Sequence, residues 1–176
     1  SVFTILPSEV FHTAYVKAAE MFSSETGASA QETYTTDDFT YTLIDEYSKV
    51  QILSYIGSDA DVVIPDRIDN KKVTSIADSA FREKSITSVV FGQYVESIGN
   101  YAFYSCQSLN ELDFSKSSVK TIGDYAFTVC KSLESIEFPD SLESIGRCAF
   151  SCYDYGTTGS YFASNLKSVK FGSGLK

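Results

Sequence analysis

Ile98-Gly99-Asn100-Tyr101-Ala102-Phe103 decides the fold, because it returns as Ile122-Gly123-Asp124-Tyr125-Ala126-Phe127 and again as Ile145-Gly146-Arg147-Cys148-Ala149-Phe150. A diverged copy, Ile76-Ala77-Asp78-Ser79-Ala80-Phe81, precedes them. The four phenylalanines Phe81, Phe103, Phe127 and Phe150 follow one another at 22, 24 and 23 residues. A period of this size means that each unit is one small structural motif, too small to bury its own apolar face.

Each copy runs on into a second apolar block. The blocks are Ile86–Phe91, Leu109–Phe114, Leu133–Phe138 and Leu166–Phe171, all of the pattern L-x-x-I-x-F. The last three positions alternate in, out, in, as a strand does. Gly92, Ser115, Pro139 or Gly172 then supplies a turn. Stacked copies place like side chains over one another at the strand spacing of roughly 4.8 Å, so the core becomes continuous. The expected architecture is an α/β solenoid, wound as a right-handed coil. The L-x-x-I-x-F blocks form one parallel sheet, and the I-G-x-x-A-F segments form the opposite wall with short irregular or helical turns.

The combined pattern, I-G-x-x-A-F-x-x-C-x-x-L-x-x-I-x-F-P, resembles the BspA-like leucine-rich repeats of bacterial and protist surface proteins. The resemblance covers about residues 62 to 175. It implies a solenoid, export from the cell, and a role in adhesion or protein recognition, with no catalytic residues.

Upstream, Phe39–Leu43 and Val50–Tyr55 alternate and flank a turn-like Asp45-Glu46-Tyr47-Ser48, which predicts a hairpin. This hairpin, within residues 34–61, is expected to cap the core. Val62-Val63-Ile64-Pro65 starts the stack, and the solenoid occupies residues 62–176. Residues 1–33 are read as a helix over 8–22, with Phe11, Ala14, Tyr15, Ala18 and Phe22 on one face, followed by a linker. Ser1–Pro7 resembles the tail of a signal-peptide core and Ala28-Ser29-Ala30 a cleavage site, although an ordinary strand or loop explains them equally well. The last unit carries an insert, residues 151–165, with Tyr153, Tyr155, Tyr161 and Phe162. The chain stops where the next unit would begin, which reads as a fragment or as an end covered by a second copy.

Composition narrows the function. A formal net charge of -9 repels phosphate backbones and anionic lipid, which disfavours nucleic acid and membrane surfaces as partners. No apolar run is long enough to span a bilayer. The one histidine, His12, has no foreseeable catalytic partner. Cys106 and Cys130 share one repeat position, so the expected reading is a buried thiol ladder, with a disulfide between coils as the alternative. Cys148 and Cys152 lie near the insert, and a disulfide between them is not favoured. The four cysteines lack paired zinc spacing, so no metal and no cofactor are expected.

Two surfaces stand out as partner-binding candidates. The outward strand positions Ser88, Val90, Glu111, Asp113, Ser135, Glu137, Ser168 and Lys170 form a strip, acidic at Glu111, Asp113 and Glu137. That strip suits a basic protein segment, though a solvated face explains it too. Tyr153, Tyr155, Tyr161 and Phe162 suit a protein or a glycan. The expected role is a non-catalytic, secreted or cell-surface module that binds an extracellular or host protein. A glycan-binding module and a structural spacer are the alternatives, and self-association through open solenoid ends is a further option.

Overall fold

The computed structural model describes residues 32–152 and 165–174. All of them except Glu32 belong to one unit, Thr33–Lys176. The helix expected over residues 8–22 and the aromatic residues of the insert lie outside the described residues.

The unit opens with β1 (Tyr34–Thr35), β2 (Phe39–Ile44) and β3 (Lys49–Tyr55), paired antiparallel in that order. The turn between β2 and β3 places Asp45, Glu46 and Tyr47 in the left-handed region, with φ of 52°, 54° and 66°. Next come β4 (Asp61–Val63), β5 (Arg67–Ile68) and β6 (Lys71–Ile76). β5 and β6 make a second, tight hairpin through Asp69 and Asn70, both at positive φ, which Asp and Asn tolerate better than most residues.

From β6 onward the chain winds through four coils, each with one strand on either wall. The first wall carries β6, β8 (Ser97–Ile98), β10 (Thr121–Ile122) and β12 (Ser144–Ile145). The second carries β7 (Ser88–Val90), β9 (Glu111–Asp113), β11 (Ser135–Glu137) and β13 (Ser168–Lys170). Equivalent residues stand in register. Ile76 pairs with Ile98, Ile98 with Ile122, and Ile122 with Ile145. On the second wall Val62 pairs with Val89 and Val89 with Leu112.

Between the walls the phenylalanines stack. Phe81–Phe103, Phe103–Phe127 and Phe127–Phe150 have ring centroids 4.6, 4.9 and 5.1 Å apart, near one strand spacing. Tyr55 of β3 extends the column, 5.4 Å from Phe81, so the N-terminal hairpin closes that end of the core. Apolar burial of this kind, at about 25 cal/mol per Å², is the main favourable term for the coils.

Two expectations need correction. No helix occurs among the described residues, so this part of the chain is a β-solenoid. The I-G segments do form the opposite wall, where β3, β6, β8, β10 and β12 make one parallel ladder. The L-x-x-I-x-F wall, expected as a single sheet, is two, β4-β7-β9 and β11-β13.

The A-F corners show why no helical turn is needed. Two positions in each of the first three coils take positive φ, Ser79 and Glu83, Tyr101 and Ser105, Tyr125 and Val129, and Cys148 does so in the fourth. Between them, alternate N–H groups point at the following coil. Tyr101, Phe103 and Ser105 donate to the carbonyls of Asp124, Ala126 and Thr128, at 2.9, 2.7 and 2.8 Å. The N–H groups in between, of Tyr104 and Cys106, donate within the coil to the Tyr101 and Phe103 carbonyls, so the backbone is satisfied both across coils and within one.

Gly99, Gly123 and Gly146 each lie tight against the backbone of the preceding coil. A Cβ at Gly123 would lie 2.7 Å from both the backbone nitrogen and Oδ1 of Asn100. That neighbour is one rung of a side-chain ladder. The Asp78 carboxylate accepts from the Asn100 N–H, Asn100 Oδ1 from the Asp124 N–H, and Asp124 from the Arg147 N–H, at 2.7, 2.8 and 2.7 Å. The thiols form a ladder too. All four cysteines are free, and Cys106 and Cys130 are buried. Their Sγ atoms donate to the Phe81 and Phe103 carbonyls at 3.0 and 3.3 Å.

Candidate functional site

The expected acidic strip lies on the outer face of β9, β11 and β13. Glu111, Glu137 and Lys170 are exposed there and Asp113 is half-buried. Strand pairing sets Glu137 directly opposite Lys170, and the two form an ion pair. Lys167 and Glu134 make another one at 2.9 Å, beside it. Both pairs are well exposed and contribute little stability. Glu111 stands one coil back, opposite Ser88.

Between β9 and β11 the hydrogen-bond ladder is broken, although the two strands remain neighbours. Phe91 N–H donates to the Asp113 carbonyl at 3.0 Å, and Phe138 N–H to the Lys170 carbonyl at 2.9 Å. The matching bond, from Phe114 N–H to the Glu137 carbonyl, is missing, and no ladder joins these strands. Beneath the break the core splays as well. Phe91 and Phe114 stack at 4.5 Å with rings 4° from parallel, whereas Phe114 and Phe138 are 6.1 Å apart and tilted by 38°.

Chain length explains the break. Four steps lead from Phe91 to Val95 and from Phe138 to Leu142, but five lead from Phe114 to Val119. The extra residue falls in Ser115-Lys116-Ser117-Ser118. It is absorbed in a turn closed by Ser117 N–H on the Phe114 carbonyl at 2.9 Å. Asp113 folds back on this turn and accepts from the Ser115 N–H at 2.8 Å. Hydrogen bonds from the Ser115 hydroxyl and N–H hold its carboxyl below the usual range, so it stays charged. One turn on, the Asp140 carboxylate accepts from the Ser173 N–H and hydroxyl, which depress it likewise.

A surface cleft of about 890 Å³ runs over β9, β11 and β13 and the turns that follow them. Its walls carry Glu111, Asp113, Glu137, Asp140 and Lys170, and its floor includes Phe114 and Phe138. The structure therefore brings together four of the expected site residues, Glu111, Asp113, Glu137 and Lys170. Asp140 was missed by sequence reasoning, since it follows the strand block. Tyr153, Tyr155, Tyr161 and Phe162 lie outside the described residues.

A second surface was not foreseen. Tyr101 and Tyr125 stack at 5.1 Å and Tyr104 packs edge-on against Tyr101 at 5.8 Å. Arg82 lies 4.8 Å over Tyr104 and Arg147 5.6 Å over Tyr125. The recurrence of tyrosine two residues after the glycine was its signal. A polar hollow of about 500 Å³ also overlies β3, β6, β8 and β10, with Gln51, Thr74, Ser75 and Thr121 in it. Among the described residues, no group of three or more His, Cys, Asp or Glu stands together as a metal site would require. No helix among them is long and apolar enough to cross a membrane.

Stacked coils of about 23 residues, apolar columns inside and a strand wall outside define a leucine-rich-repeat solenoid. Residues 74–176 match the BspA type leucine-rich-repeat region, in 6 copies. The chain belongs to that family. No curated protein gives a significant match. Among solved structures, a leucine-rich repeat protein from Bacteroides capillosus is similar at 24% identity and a TM-score of 0.64, covering 79% of this chain and 97% of that one. A leucine rich cell surface protein from Faecalibacterium prausnitzii follows at 23% and 0.59, covering 83% of this chain and 44% of the other. The T. pallidum leucine-rich repeat protein gives 24% and 0.55, with 82% and 84% covered. At these identities the likeness speaks for the fold.

Proposed function

We propose that this chain is a non-catalytic recognition module, secreted or displayed at the cell surface, that binds an extracellular protein through the outer face of β9, β11 and β13. The observation that carries the reading is the acidic cleft over β9, β11 and β13, where an otherwise regular hydrogen-bond ladder breaks. Membership in the BspA type family supports a binding role, and one similar structure is described as a cell surface protein.

Extracellular-matrix and cell-surface proteins should be screened against the immobilised chain, beside a variant carrying Glu111→Lys and Glu137→Lys. Both side chains are exposed, so the fold should survive the exchange. The expected result is saturable binding of at least one protein, lost in the double variant. Binding that ignores the exchange would move the interface elsewhere, and no binding at all would leave the spacer role as the better account.

A glycan-binding role is the second reading. The stacked Tyr101 and Tyr125 with their flanking arginines favour it, because aromatic faces suit sugar rings. A glycan array probed with the parent and with Tyr101→Ala decides it: sugars bound equally by both would exclude this row.

A further inference from the structure

We infer that the polar hollow over β3, β6, β8 and β10 holds an uncharged sugar unit, bound by hydrogen bonds that include the hydroxyls of Ser75 and Thr121. The hollow is on the opposite wall from the acidic strip, so the inference goes beyond the protein-binding reading and does not depend on it. Its residues are also not those of the tyrosine row.

The first ground is an orphaned group. Ser75 is 7% exposed, and its hydroxyl is buried without a hydrogen-bond partner, alone in this among the described side chains. Native chains leave few such groups, and each one asks for a reason. A bulge brings it about. Val50 pairs with Val73 but Gln51 with Ser75, so Thr74 is an extra residue in β6. Bulges re-aim side chains and recur beside functional sites. Here the re-aimed Ser75 lines the hollow together with Ile44 of the hairpin, which offers one apolar contact.

The second ground is the lining. Strand register continues Ser75 into Ser97 and Thr121, one hydroxyl per coil, with Gln51 on the other side. The side chains of Gln51, Ser97 and Thr121 make no hydrogen bond to a described residue. Hydroxyls and amides both donate and accept, which matches the hydroxyls of a sugar. The third ground is charge. Two ion pairs stand at the hollow, Lys49 with Asp45 at 2.8 Å and Lys120 with Glu96 at 3.2 Å. Their charges cancel, which favours a neutral ligand over an anion or a cation. A peptide strand has no edge to join, because β3, β6, β8 and β10 are each paired on both sides. The volume of about 500 Å³ falls within the roughly 300–1,000 Å³ of small-molecule sites.

The test titrates an isotopically labelled chain with methyl glycosides of glucose, galactose, mannose and N-acetylglucosamine, and with cellobiose, lactose and chitobiose. Methyl glucuronide is the charged counterpart. Binding is read by amide chemical shifts, in the parent and in Ser75→Ala and Thr121→Val. At least one uncharged sugar should bind saturably and move the amides of Ser75, Ser97 and Thr121. Each variant should weaken it about fivefold or more, the loss of one hydrogen bond. Ser75→Ala should also melt higher than its parent without sugar, because the unpaired hydroxyl is gone. A side chain needed only for packing would not raise stability while lowering affinity. Thr121 is exposed, so Thr121→Val keeps the fold and carries the test alone if Ser75→Ala does not fold.

No saturable binding of any of these sugars overturns the inference. So does methyl glucuronide bound as tightly as methyl glucoside, affinity within about twofold of the parent in a folded variant, or a folded Ser75→Ala that melts lower. Sugar binding lost in Tyr101→Ala but kept in both hollow variants would place the sugar on the tyrosine row and overturn it too.

Discussion

Gly123 shows how one residue can be fixed by its neighbour one coil away. No positive φ forces glycine there; the Asn100 backbone does, at 2.7 Å from any added Cβ. Gly123→Ala should therefore destabilise the unit by roughly 2 kcal/mol, since backbone cannot yield as a flexible side chain would. Urea midpoints of the two proteins check this, and equal midpoints would refute the close approach. The glycines were plain in the sequence but their reason was not, because the Asx ladder they pack on exists only once coils are stacked. The positive-φ sites were hidden for another reason. At the A-F corners they hold Tyr, Ser, Glu, Val and Cys, none of which advertises a left-handed backbone. The thiols, by contrast, were legible from their shared repeat position. Burial pushes the Cys106 thiol up to about 12 and raises Cys130 in the same direction. A raised thiol favours the neutral form in the fold. Its contribution to stability is complete below about 8.5, where an unfolded thiol titrates, and is lost as pH climbs toward 12. At pH 8 iodoacetamide should thus label exposed Cys148 while Cys106 and Cys130 react only after unfolding, which peptide mass mapping would reveal.

Among the elements, β9 and β11 matter most. The spacing of 24 residues between Phe103 and Phe127 was visible in the sequence, but its outcome was not. An extra residue can be taken up as a bulge, as a longer loop or as a parted ladder, and only packing selects among them. Here the first wall keeps β10 in register with β8 and β12, so the slack falls on the second wall. Deleting Lys116 should restore bonds between β9 and β11, at about 0.5–1.5 kcal/mol each. The variant should melt higher than its parent. A lower melting temperature would mean that the turn Ser115–Ser118 stabilises the coil as it stands. The hairpin β2–β3 was read correctly from its alternation. The short β5–β6 hairpin was passed over, although Asp69-Asn70 is a turn pair.

For the molecule as a whole, each coil touches chiefly the coils before and after it. Stability in such an array is a sum of local and nearest-neighbour contributions, so protection need not be uniform. The N-terminal end combines the β2–β3 hairpin, the β6 ladder and Tyr55 stacked on Phe81. Toward β13 the wall is only two strands wide, and Phe171 is 54% exposed. Hydrogen exchange should be slowest at amides of β3 and β6 and faster at those of β11 and β12. Equal protection throughout would show that the described coils open as one block. The overall architecture was legible because repetition multiplies a weak local signal. The break in the ladder was not, because it is a departure from that repetition.

The turn after Phe114 owes its form to a count of residues rather than to their identities. Exchanging one amino acid for another can alter its charge or its shape but not its length; only gain or loss of a whole codon can do that. It is a landmark along an otherwise repetitive series of windings.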